Sequence, residues 1–301
     1  MIAVEIGLAV LRTIALLGLP STPSLLDAPE LRLAATARTV TAPAEGTYWH
    51  TRTLLRSTQP RQFGRGSNRY WVEERRIAET WTSPDGKAWS GLRTLGARPQ
   101  SAADEKAWRR DGSPSRLSRT AGRGTVSLAT KADKGRVIPS KRPNAFFLAG
   151  QQMSYAELQE LPADPSGLKD WLAKAVQVGR APDDAVGGYV TAALRTLLHT
   201  LPAPKEVRAA AYQALLTMPN VRAQGTVKDA LGRAGAKLSI APDQVRQKIT
   251  ANIEVIVDTD EMVLLAESLT TELNGKPFRN YTSTMLQVGW TDTDPSVPAL
   301  P

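Results

Sequence analysis

Few residues in this chain are able to do chemistry. It has no cysteine and only two histidines. Thiol nucleophiles, disulfides and cysteine-bound zinc are therefore excluded. His50 falls mid-strand beside Trp49, and His199 falls at the end of a helix. Neither has a partner at ligand spacing, and general acid–base work needs a positioned partner within hydrogen-bond reach. Both read as structural or surface residues, and a positive charge on His199 would suit a helix C-terminus. Carboxylates cluster twice. Asp183-Asp184 opens a helix, where negative charge is favoured. Asp258, Asp260 and Glu261 occupy a hairpin turn too short to supply the roughly six to eight oxygens that calcium takes. Gly64-Arg65-Gly66 is too short for a phosphate loop, and no G-K-[ST] motif follows it. The sequence thus implies no catalytic residue, no metal and no cofactor, and a non-enzymatic role.

Two further features bear on binding. There are seven tryptophans, of which Trp49, Trp71, Trp81 and Trp89 fall on the first strands. Sheet core and cross-strand pairing account for them; the alternative is that they line an apolar groove between sheet and helices. The net charge is +9, and it is unevenly spread: Gly96 to Arg142 carries 12 Lys/Arg against 4 Asp/Glu, whereas Asp243 to Pro301 carries 4 against 9. The basic stretch 98–142 holds one aromatic residue, Trp108, so stacking platforms for single-stranded nucleic acid are missing. It reads as a solvated loop or as a contact for anionic lipid headgroups or cell-wall polymer, and nucleic acid is disfavoured.

The elements that must position these residues follow from periodicity and punctuation. Residues 2–19 are mostly apolar but are interrupted by Glu5 and Arg12. They read as a degenerate anchor or signal, or as an amphipathic helix. A linker and a short helix over 30–40 fill the stretch to residue 45. Strands follow at 47–57, 69–82 and 87–96. The last two join at Ser83-Pro84-Asp85-Gly86, where proline presets φ, aspartate caps its own backbone and glycine takes positive φ. The segment 97–145 predicts long loops with one or two short strands.

Helices dominate 153–218. Ser154 and Glu157 form a capping box, and Asp164-Pro165 places a cap before a first-turn proline. Pro182 and Pro204 start two more. Strands return at 221–230 and 235–241. A hairpin over 252–273 turns at Asp258 to Glu261, a last strand covers 278–288, and 291–301 is a tail.

The stretches LPADPSGLKDWLAK (161–174), LPAPKEVRAAAYQALLTMPNV (201–221), VIVDTDEMVLLAES (255–268) and YWHTRTL (48–54) resemble an uncharacterised actinobacterial family. Its members are usually anchored by one N-terminal transmembrane helix and are often found beside extracytoplasmic-function sigma factors. The resemblance covers roughly 45–290. More distantly, the element order looks like the half-barrel of LolA-type lipoprotein carriers, a likeness of fold alone. The resemblance implies an α+β fold: a twisted antiparallel sheet, built from strands of both halves over 46–290, with helices on its concave face. It implies an extracytoplasmic, membrane-associated or secreted domain that binds a lipid-like or apolar ligand. Alternatively, it implies an envelope regulatory protein linked to a sigma-factor system.

Overall fold

A computed structural model describes residues 46–58, 61–121, 124–141, 146–241, 249–273 and 276–301. The apolar segment 2–19 and the helix expected over 30–40 lie outside the described residues. Of the described helices, none is long and apolar enough to cross a membrane.

One antiparallel sheet organises the chain. Its strands are β1 (Tyr48–Thr58), β4 (Val72–Thr82), β5 (Ala88–Pro99), β8 (Arg136–Pro139), β11 (Val221–Lys228), β12 (Ala234–Ile240), β13 (Ile249–Asp258), β14 (Val263–Leu273) and β15 (Lys276–Thr291). They run in the order β11-β12-β13-β14-β15-β1-β4-β5-β8. The expected union of both halves is therefore present. It is made by β15 and β1, which pair from Tyr48↔Thr291 to Ser57↔Tyr281. Bulges interrupt the ladders at Arg52/Thr53, Arg75/Arg76 and Ile256/Val257, and each adds local twist. The sheet is open, with β11 and β8 at its ends.

The helices are α2 (Tyr155–Gln159), α3 (Pro165–Val178), α4 (Val186–Leu197) and α5 (Lys205–Leu216), after a short α1 (Ala102–Arg110) described below. Both expected caps form: Ser154 and Glu157 make the capping box, and Asp164 accepts from the Gly167 amide at 2.7 Å. Their apolar stripes converge on one core. Leu168, Leu172, Leu194, Leu197, Val207, Ala211 and Leu215 pack with Leu238, Val255, Val257, Leu264 and Met285 of the sheet. Burying a Leu or Val side chain is worth about 1.5–3 kcal/mol, so this contact is the main cohesive one.

The segment 97–145 departs from the expected loops. It contains α1, a hairpin of β6 (Arg116–Ala121) and β7 (Gly124–Ala129), and the edge strand β8. Ser101 caps α1 by accepting from the Asp104 amide. With the small hairpin β2 (Phe63–Arg65) and β3 (Asn68–Tyr70), α1 and the β6–β7 hairpin enclose a second core of Phe63, Tyr70, Val72, Ala97, Ala107 and Leu117, and a short ladder of β9 (Phe147–Leu148) and β10 (Gln151–Gln152) follows the segment. The strand expected over 69–82 breaks at Trp71, whose amide donates to Asp104 Oδ1 at 2.7 Å instead of joining a ladder. The glycine-bearing loop is the β2–β3 turn. At Gly64, φ is +90° and a Cβ would lie 2.1 Å from the Asn68 carbonyl oxygen, so only glycine fits.

Candidate functional site

Register assigns side chains to faces, because successive residues of a strand point to opposite sides. Trp49, Thr51, Thr53 and Leu55 of β1 share the helix face. They stand beside Thr82, Thr80, Ala78 and Arg76 of β4 and, one strand further, Ala88, Ser90, Leu92 and Thr94 of β5. Val72 and Ala97, in the second core, belong to this same face. The helical body and the small body thus stand on one side of the sheet, at opposite ends of β4. Between them the face is partly open: Thr80 and Ser90 are exposed, and Leu55, Ala78 and Leu92 are half-buried.

Two rows of side chains run from beneath the helices, where Met285, Thr53 and Ser283 are buried, out into this opening. One runs Met285, Thr53, Ala78, Leu92; the other runs Glu267, Ser283, Leu55, Arg76, Thr94. Its charges are paired. Arg195 of α4 reaches Glu267 at 2.8 Å, and Arg76 bonds Glu74 on its own strand. Tyr281 lies beside Leu269. Burial, and then the Glu267 carboxylate, push its phenol up to about 12, so it is a neutral donor near pH 7. His199, where α4 ends, differs from the sequence expectation. Burial holds its imidazole below its ordinary value, against the opposing pull of Glu267. Its Nδ1 donates to the Arg195 carbonyl at 3.2 Å, which leaves Nε2 as an acceptor. The trough therefore presents apolar patches, hydroxyls and neutralised charges.

The four tryptophans do not share one groove. Trp49 is buried on the helix face, donates Nε1 to the His199 carbonyl at 3.0 Å and packs edge-on to Trp290. Trp81 and Trp89 pair across strands on the opposite face. There Trp81 stacks on His50 with ring centroids 4.8 Å apart, and Trp89 lines an open depression of about 460 Å³ with Tyr48 and Lys87. Trp71 stands at the β3–β4 break. His50 donates from Nε2 to the Glu79 Oε2 carboxylate oxygen, 2.8 Å away, on the same face as Trp81.

The carboxylate clusters lie at a hairpin turn and at a helix start. Asp258 accepts from the amides of Asp260 and Glu261, and Asp183 and Asp184 open a 3-10 turn before α4. Among the described residues no group of three or more His, Asp or Glu is disposed to hold a metal ion. In the basic stretch, Arg98, Lys106, Arg109, Arg110, Arg116, Lys131, Lys134, Arg136 and Lys141 are exposed.

Sequence reasoning missed Arg195, Glu267, Tyr281 and Ser283. A signal existed in Glu267: its neighbours along the strand, Val263–Leu265 and Leu269, are apolar, and an acid in such a row needs a partner.

The fold and trough together define an α+β protein with an open nine-stranded antiparallel sheet and two bodies on one face. Comparison with protein-family models, with curated proteins and with solved structures found no match.

Proposed function

We propose that this chain is a non-enzymatic, extracytoplasmic domain that binds a lipid-like or other apolar ligand in the trough between its two bodies. One observation supports the reading above the rest: Leu55, Ala78 and Leu92 stay half-buried on a face where Arg195 and Arg76 are each matched by a carboxylate. Apolar area is left to cover, and no net charge is left to repel a hydrocarbon chain. The exposed cations of the basic stretch would draw the protein to anionic headgroups, each contributing about 1 kcal/mol near such a surface. The proposed envelope location rests on the family resemblance. So does the alternative role as an interaction protein of a sigma-factor system.

Native mass spectrometry tests the ligand reading. The protein should carry an apolar adduct as purified, lose it on delipidation and regain it from phosphatidylglycerol vesicles. Leu92→Glu, at a half-buried position, should leave the fold intact and abolish uptake. An adduct unaffected by Leu92→Glu, or no adduct before or after vesicles, would overturn it.

A further inference from the structure

The face opposite the helices carries a docked segment. Residues 292–301, within the stretch 291–301 read from sequence as a tail, leave β15 and run over the sheet without joining a ladder. Their first part is pinned by β1 and its lead-in. Thr47 donates from its amide and its hydroxyl to Asp292 Oδ1, at 3.0 and 2.8 Å. The Tyr48 hydroxyl donates to Asp294 Oδ1 at 3.3 Å. Further on, two arginines take successive carbonyls: Arg93 donates to Pro298 at 3.1 Å and Arg52 to Ala299 at 2.9 Å.

Pro298 is buried between these contacts. It fills the space left by Gly91, where a Cβ would lie 3.0 Å from the proline Cγ and Cδ and 3.1 Å from Trp81 Cζ3. Val297 similarly approaches Gly135, where a Cβ would lie 2.8 Å from its Cγ1. Arg52 is held from behind by Glu79, 3.4 Å away, which also bonds His50.

The chemistry is that of extended-peptide recognition. Proline has no N–H, so burying it face down orphans no donor. A chain outside any ladder keeps its carbonyls free, and fixed guanidinium groups hold them by charge-assisted bonds. One proline-shaped recess then supplies selectivity.

We propose that this groove is a receptor for extended, proline-bearing peptides of the pattern Val-Pro-Ala-Leu, and that residues 297–300 occupy it as a built-in competitor. The groove and the trough lie on opposite faces, so the two proposals fail separately.

The test uses a labelled peptide of residues 294–301 and the full chain. Pro298→Asp should undock the segment without altering the groove, and that variant should bind the peptide at least about tenfold more tightly than the unmodified chain. Adding Gly91→Val should abolish binding. Equal affinity in the Pro298→Asp and unmodified chains, or binding that survives Gly91→Val, overturns the proposal.

Discussion

Glu79 is a buried charge on the face opposite the helices, and removing it should be costly. Its side chain is 6% exposed, 2.8 Å from His50 and 3.4 Å from Arg52. Trp81 stacks on His50, so the carboxylate has little access to water. Deleting one partner of a buried pair costs about 3–5 kcal/mol. Arg52 is 23% exposed and retains some hydration, which puts Glu79→Ala near the lower end, about 3 kcal/mol. At the usual size scaling that is a fall in Tm of roughly 6–12 °C. Glu79→Gln keeps volume and an acceptor for His50 but loses the charge, and should cost about 1–2 kcal/mol. Urea denaturation followed by tryptophan fluorescence reads both. A double-mutant cycle with Arg52→Ala should return a coupling of about 1 kcal/mol. If Glu79→Ala costs under about 1 kcal/mol, the site is hydrated and the buried-anchor reasoning is wrong.

Two further outcomes follow from other parts of the sheet. Asp229, 1% exposed, accepts from the Leu231 and Arg233 amides and from the Arg233 guanidinium, which also reaches the Met285 carbonyl at 2.8 Å. Asp229→Ala should therefore cost about 3 kcal/mol in denaturant unfolding, with the loss centred on the β11–β12 hairpin in hydrogen exchange. The Tyr281 phenol is raised in the folded state, so that state holds its proton longer; stability is full below pH 10 and declines as pH rises toward about 12. Tyr281→Phe should remove up to about 2 kcal/mol of that decline, and an identical pH profile for the two chains would refute the assignment.

What was legible in the sequence was local. The Ser154 box, the Asp164-Pro165 start and the Asp258 turn each declare themselves within four residues, and each stands where expected. The alternation in residues 47–57 and 252–273 gave strands with little shift in bounds. The α1 helix escaped notice because its one buried residue is Ala107, too small to print an apolar stripe among Asp104, Glu105, Lys106, Arg109 and Arg110. The segment 292–301 escaped because its anchors, Thr47, Tyr48, Arg52 and Arg93, are some two hundred residues away. The trough is illegible for the same reason. Glu267 and Arg195 meet only once β14 is in place under α4, and Trp49, Trp81 and Trp89 divide between faces by parity, which spacing along separate strands does not reveal until the register is known.

The two ends of the sheet argue that recognition belongs to its faces. An open sheet leaves unpaired N–H and C=O groups on its outer strands, which invite another chain to add on. Here both outer strands are ill suited to that. β8 has four residues, finishes in Pro139 and carries the exposed Arg136. β11 is broken by an irregularity between Ala223 and Thr226, with Gly225 at φ +79°, and bears exposed Arg222 and Lys228. Shortness, proline, bulge and charge are the devices by which edge pairing is discouraged. With the edges blunted, the surfaces left for a ligand are the trough with its half-buried Leu55, Ala78 and Leu92, and the opposite groove, where Gly91 leaves a space that Pro298 fills. Both run over β1, β4 and β5. β1, β4 and β5 thus carry the opening between the two bodies on one face and the docked segment 292–301 on the other, as the alternation of their side chains requires.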